Sequence, residues 1–268
     1  MKARLVRGGG HAGGLFVIDG ETGRPLCTRA AKRRRPLASN MKLFTTAAAL
    51  GRLGPQSRIQ TTVESDGSLD RNGTLHGSLY LVGGGDPALG TPSFYNRFLG
   101  GLGTNVFLLK RQVREAGIRA ITGRLYADDS VFDRLRGVAD SGYATSPYIG
   151  PLSGLSLNSG YSSAGATGFA SDPARTAAKT LAGGLRAAGV RLPAKVALAT
   201  APAGAETVAT VESPPLTEIV NTTDVYSDNF FAEMLIKLLG ARFGGEGTTA
   251  AGAGVVERFA RGHRSAVR

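Results

Sequence analysis

The sequence predicts a mixed α/β chain of the α+β kind, with a middle region lodged between two flanking segments. Three observations predict it. Short apolar runs broken by turn chemistry near the N-terminus read as strands. Segments rich in alanine and leucine near both ends carry helix signals, each opening on a serine-containing motif. The stretch between them has strands and helices of its own, the mark of an inserted domain and not of a linker. The expected division is 1–58, the first part of the main domain; 59–212, an insert; and 213–268, a return to the main domain.

Leu15 to Ile18, the turn Asp19-Gly20-Glu21-Thr22-Gly23 and Pro25 to Thr28 form an expected hairpin. Ser39 to Leu53 is an expected helix, capped by Ser39 and stopped before Gly54-Pro55. It is apolar almost all round, as a buried central helix would be. Ile59 to Glu64 and Thr74 to Val82 flank Asn72-Gly73 as a second hairpin. Asn105 to Ala116 reads as a helix ended by Gly117, and Ile121 to Ala127 as a strand. Residues 137–175 are Gly-, Ser-, Tyr- and Pro-rich and lack a period, so they read as loop with short strands. Ala177 to Ala188 is helical, and Val196 to Ala199 and Thr207 to Val211 are extended. Helices are expected at Pro214 to Val220, Asn229 to Leu239 and roughly Thr249 to Ala260. No repeat of about 20–50 residues is present.

Composition narrows the chemistry. The chain has 268 residues, 42% of them hydrophobic, enough for a sizeable core. No stretch approaches the roughly 18 apolar residues of a membrane helix, so no integral membrane segment is expected. One cysteine, Cys27, can form no internal disulfide. Three scattered histidines, His11, His76 and His263, leave little for a metal cluster or a Ser-His-Asp triad. The net charge of +12 comes mostly from dispersed arginines, with one run at Lys32-Arg33-Arg34-Arg35. That run lacks the interleaved aromatics that stack on bases, so nucleic acid is not an expected partner. Met1 to Gly10 is basic without an apolar core of about 7–15 residues behind it, unlike a secretory signal.

The chemistry sits in two motifs. In Ser39-Asn40-Met41-Lys42, serine and lysine are three apart, which on a helix brings their Cβ atoms to about 5–6 Å. A partly buried Lys42 can act as base toward the Ser39 hydroxyl, and the helix N-terminus offers N–H groups to a developing oxyanion. Ser227-Asp228-Asn229 heads a second apolar helix, 188 positions after Ser39. Each motif alone describes an ordinary helix start. Together and in this order they are two of the three signatures of serine enzymes that recognise penicillin. The third, Lys-Thr-Gly, does not follow. Gly83-Gly84-Gly85-Asp86 lacks the Gly-Lys-Ser/Thr of a phosphate loop and reads as a tight turn. Asp128-Asp129, with no third ligand in reach, reads as a turn or cap rather than a metal site.

At these residues the chain resembles the penicillin-binding D-alanyl-D-alanine carboxypeptidases/endopeptidases of the S13 peptidase family. The resemblance extends past the motifs. It takes in Phe16-Val17-Ile18-Asp19, Pro36 to Leu43, Leu79 to Pro87, Ile121-Thr122-Gly123 with Asp128 to Phe132, Pro151 to Asn158, and Pro215 to Glu233. It implies a β-lactamase/transpeptidase-like αβα sandwich, incomplete here, with a smaller inserted α+β domain. It implies Ser39 as acyl-enzyme nucleophile, Lys42 as general base, Ser227 as proton relay to the leaving D-alanine and Asn229 as hydrogen-bond partner of the substrate peptide. The implied partners are peptidoglycan stem peptides and β-lactams, with no cofactor or metal, in the cell envelope.

The sequence also departs from the family pattern. No signal peptide is expected from its first residues, and the short stretch Ser159 to Asp172 suggests that one insertion is nearly missing. Arg261 to Arg268 matches nothing in the family, which suggests an internal fragment or a truncated gene. Without later strands the first hairpin would have an unpaired edge. Without the third motif one oxyanion donor is lost, at a cost of about 10²–10³ in turnover, so negligible carboxypeptidase activity is expected of these residues alone. A non-catalytic peptidoglycan-binding remnant is the alternative. A serine β-lactamase fits less well, because its two motifs lie much closer together.

Overall fold

The computed structural model describes residues 13–263. The readings made for Met1 to Gly10, for His11 and for the tail beyond His263 lie outside these. The described residues fall into two compact units, which divide between Asn40 and Met41.

In the first unit, β1 (Leu15–Ile18) and β2 (Pro25–Arg29) form the expected antiparallel hairpin, with Phe16 opposite Thr28 and Val17 opposite Cys27. Its turn is closed by Asp19, whose carboxylate accepts the Thr22 N–H at 2.7 Å and the Glu21 N–H at 3.1 Å. Those bonds, first from Thr22, hold the Asp19 carboxyl below its usual range. Among the described residues the hairpin is a two-stranded sheet, and Phe16, Ile18 and Leu26 are exposed. A 3-10 turn, Ala38–Asn40, ends the unit and carries Ser39, which is exposed.

The second unit begins with α1 (Met41–Leu53). Regular helix thus starts two residues after the expected Ser39, because Ala38, with φ of 48°, leads into the tighter turn. The helix is also not buried all round. Lys42, Thr45, Thr46, Ala48 and Ala49 face inward, whereas Met41, Leu43 and Phe44 are exposed. The inward spacing follows one helical face, and small side chains there allow close packing. Average hydrophobicity concealed this reversal, because the buried stripe is the less apolar one.

Residues 60–212 supply a five-stranded mixed sheet in the order β11-β10-β6-β3-β12. Its strands are β3 (Gln60–Ser65), β6 (Leu79–Gly83), β10 (Leu125–Asp128), β11 (Ala197–Leu198) and β12 (Glu206–Glu212). Strands β3, β6 and β12 pair antiparallel, whereas β10 runs parallel to β6 and β11. Small ribbons add β4 (Ser68–Leu69), β5 (Thr74–His76), β7 (Leu89–Gly90), β8 (Thr104–Asn105) and β9 (Ala120–Ile121). The strand expected over Ile121 to Ala127 is therefore two strands. Gly123 separates them at a place where a side chain would strike the Gly77 carbonyl. The short helix α2 (Pro92–Phe98) begins on Thr91-Pro92, a helix-start signal that sequence reading passed over.

Helices α3 (Phe107–Glu115) and α4 (Pro173–Ala187) pack on the sheet. Helix α4 starts a turn earlier than expected, because Asp172 caps it and Pro173 opens it. Leu79, Leu81, Leu109, Leu125, Leu181 and Leu185, all essentially inaccessible, form the core between them. A second core joins α1 to α5 (Leu216–Val225), α6 (Asn229–Phe243) and α7 (Thr249–Gly262) through Ala48, Ile219, Phe231, Met234 and Leu235.

The two ends of the 60–212 segment are pinned together. Ser213 N–H donates to the Ile59 carbonyl and Ile59 N–H to the Ser213 hydroxyl, both at 2.9 Å. Leu216 and Thr217 N–H groups reach the carbonyls of Ser57 and Pro55. This clasp returns the chain to α1 after more than 150 residues, and so fixes where α5 and α6 begin.

Candidate active site

The inward face of α1 presents Lys42 to the start of α6. Lys42 is only 8% exposed, and its Nζ donates to Asn229 Oδ1 at 2.6 Å and to Ser227 Oγ at 3.3 Å. One turn on, Thr46 Oγ1 donates to Asp224 Oδ2 at 3.1 Å and ties α1 to α5. The aliphatic stem of Lys42 is buried while its amine meets polar partners, which is how a lysine can be accommodated on an inward face.

The connection between α5 and α6 is tight. Ser227 takes φ of 53°, a left-handed conformation that a non-glycine residue adopts at some cost. Asp228 then caps α6, with Oδ1 accepting the Phe231 N–H at 2.9 Å, and its own N–H donates to the Thr223 carbonyl. Of the expected Ser-Asp-Asn cluster, the capping side chain is therefore the aspartate. Burial pushes the Asp228 carboxyl up, against the pull of the Phe231 and Phe230 N–H groups and of the Lys42 charge. Asn229, the first residue of α6, donates through Nδ2 to the Tyr148 carbonyl at 3.1 Å.

Three of the four sequence-predicted residues, Lys42, Ser227 and Asn229, thus meet around one amine. Ser39 lies in the 3-10 turn that precedes α1 in the chain. The Tyr148 carbonyl and the Thr46–Asp224 brace were not anticipated. Tyr148 falls in the aperiodic 137–175 region, and neither Thr46 nor Asp224 carries a sequence signal. Asp128 and Asp129 make turn and pairing contacts. Asp128 accepts Ser130 N–H at 2.9 Å and Ala201 N–H at 2.7 Å, and Asp129 pairs with Arg136 at 2.8 Å. Among the described residues no group of three or more His, Cys, Asp or Glu side chains could hold a metal ion.

A buried lysine here bridges a serine hydroxyl and an asparagine amide on a mixed α/β scaffold, and brings residues of both motifs together. The profile of the D-Ala-D-Ala carboxypeptidase 3 (S13) family matches residues 6–170 and 161–262, and the chain belongs to that family. Its relatives include the D-alanyl-D-alanine carboxypeptidase of Actinomadura sp. (strain R39), 37% identical over 139 residues. That match covers 52% of this chain and 23% of the relative. Carboxypeptidase Rv3627c of Mycobacterium tuberculosis is 29% identical over 222 residues, covering 82% of this chain and 46% of the relative. The match thus spans less than half the length of either relative. Penicillin binding protein 4 (dacB) of Haemophilus influenzae has a similar fold, with a TM-score of 0.73 at 18% identity over 94% of this chain and 67% of that one.

Proposed function

We propose that the chain carries the catalytic centre of a serine-type D-Ala-D-Ala carboxypeptidase or endopeptidase acting on peptidoglycan stem peptides. The observation that carries this reading is the buried Lys42 amine, shared between Ser227 and Asn229. In the proposed reaction the Ser39 hydroxyl attacks the carbonyl carbon of the penultimate D-alanine. Its proton passes to Lys42, and the new C–O bond makes a tetrahedral adduct. Collapse of the adduct breaks the C–N bond, and Ser227 relays a proton to the departing D-alanine amine. Water then attacks the ester, restoring the Ser39 hydroxyl and releasing the shortened peptide. Asn229, already oriented by Tyr148, hydrogen-bonds the substrate's peptide group.

The same serine is the proposed site of acylation by β-lactams. A second structure of the Haemophilus protein holds a β-lactam, which supports that choice of ligand. The site of action is proposed to be the cell envelope, where the polymer is. No helix among the described residues is long and apolar enough to cross a membrane. Residues 59–212 are proposed as the inserted domain.

The deciding experiment is covalent labelling with a fluorescent penicillin, compared with Ser39→Ala. Labelling that disappears in the variant supports the reading. Folded protein that takes no label favours a non-catalytic peptidoglycan-binding role instead.

A further inference from the structure

Asp129, prominent in the sequence and unused by the proposed reaction, closes a loop. It directly follows β10, is only 5% exposed, and its Oδ2 accepts two bonds of 2.8 Å, from Arg136 Nη2 and from the Ser153 hydroxyl. The other arm of the Arg136 fork, Nη1, donates to the Leu152 carbonyl at 3.0 Å, and the Leu152 N–H returns to the Arg136 carbonyl at 2.9 Å. One carboxylate and one guanidinium therefore hold residue 136 beside residues 152 and 153. The two arms of a planar fork fix that geometry, which a single ammonium does not reproduce.

Residues 137–151 run out and back between the clasped ends with one 3-10 turn, Ala139–Ser141, and no strand or α-helix. A compact stretch of about 6–16 residues with adjoining ends is an Ω-loop. Within it the Ser141 hydroxyl donates to the Ala144 carbonyl at 2.7 Å and the Gly150 N–H to the Ser146 carbonyl at 2.8 Å. Toward the helices, its hydrogen bond among the described residues is the one that the Tyr148 carbonyl accepts from Asn229 Nδ2. The Tyr148 side chain is 82% exposed and does not anchor that carbonyl. The base of the loop does so, together with Val138 and Ile149, which rest on the second core.

We propose that Asp129 and Arg136 are positioning residues for the candidate catalytic centre. Their clasp sets the Tyr148 carbonyl, and that carbonyl decides which way the Asn229 amide faces. A side-chain amide has an acceptor at one end and two donors at the other. With Nδ2 held by Tyr148, Oδ1 is turned to Lys42 Nζ; turned over, the amide would set donor against donor. The inference rests on the catalytic reading of Lys42, Ser227 and Asn229.

NMR of the whole ¹⁵N-labelled chain reads the Asn229 side-chain amide directly, its signals identified by their loss in Asn229→Ala. One of its protons should exchange with water about tenfold more slowly than those of the exposed Asn72. Arg136→Met removes both arms and keeps the stem, and should bring Asn229 to within about twofold of Asn72 while the Phe231 N–H stays protected. Arg136→Lys keeps the charge opposite Asp129 without the fork and should speed Asn229 exchange about threefold, which serves if Arg136→Met does not fold. Val113→Ala, a cavity in the remote first core, lowers stability and should leave the Asn229 amide unchanged. Slow Asn229 exchange in the folded Arg136 variants, or equal acceleration in Val113→Ala, would overturn the proposal. Fluorescent-penicillin labelling reports separately: in a chain that takes the label, Arg136→Met should slow it about tenfold. The expected exchange pattern in a chain that takes no label supports the clasp and counts against the catalytic reading alone.

Discussion

Lys42 Nζ lies 2.6 Å from Asn229 Oδ1, although 187 residues of chain separate them. The contact joins the first turn of α1 to the first residue of α6. It leaves the Asn229 amide nitrogen to donate to Tyr148, so one side chain fixes both a lysine and a loop.

Removing that side chain should therefore act twice. Asn229→Ala is expected to lower stability by about 1.5–3 kcal/mol, the scale for hydrogen bonds to charged groups. It should also slow fluorescent-penicillin labelling by at least tenfold. Urea unfolding and labelling time courses check the two effects separately.

A second buried lysine makes a larger prediction. Lys237 is 1% exposed on α6, and its Nζ lies 2.6 Å from Asp133 Oδ1. Taking away one partner leaves a buried charge uncompensated, so Lys237→Ala is expected to cost about 3–5 kcal/mol. Asp133→Asn keeps an acceptor for Lys237 and for the Leu135 N–H but strips the counter-charge from the more deeply buried lysine, and is expected to cost at least as much. Chemical denaturation of both variants reads the order directly.

The Gly83–Pro87 turn has a pH signature. Asp86 is buried, accepts bonds from Thr104 Oγ1 at 2.5 Å and Ala88 N–H at 2.8 Å, and is pushed up to about 6 by burial. Its folded pKa thus exceeds its unfolded value, and between about pH 4 and 6 the folded state holds more protons. Stability from this group should fall as pH rises through that window, by about 3 kcal/mol in all. Asp86→Asn is expected to flatten this component. Urea midpoints of both proteins from pH 4 to 7 measure the difference, in which the other carboxylates cancel.

Gly252 tests packing against propensity. Glycine to alanine inside a helix ordinarily gains up to about 1 kcal/mol. In α7, however, a Cβ at Gly252 would overlap the Ile236 carbonyl oxygen of α6. Gly252→Ala is therefore expected to lower the thermal midpoint, and a rise would refute the close contact.

Local chemistry made much of this legible in advance. The hairpin at Asp19 and the α6 start at Asp228 follow from side chains bonding their own backbone, and the α4 stop follows from the left-handed backbone that Gly189 readily adopts. The meeting of Lys42, Ser227 and Asn229 was implied by the family resemblance and not by spacing, since the two motifs lie 188 positions apart. What escaped depends on partners remote in sequence. The inward face of α1 is set by α5, α6 and α7, which reward small residues, so hydrophobicity pointed to the wrong side. Tyr148 contributes a backbone carbonyl, which any residue possesses.

The distance along the chain between Lys42 and its partners has a consequence for biosynthesis. At roughly 5–20 residues per second, α1 leaves the ribosome about 10–40 s before α6 exists to meet it. Through that interval Lys42 has neither of these two hydrogen-bond partners. The clasp between Ile59 and Ser213 lies just before Ser227 and Asn229 in the chain, so their return to α1 depends on the intervening sheet that the clasp closes. Assembly of the candidate centre is thus coupled to the completion of the middle of the chain.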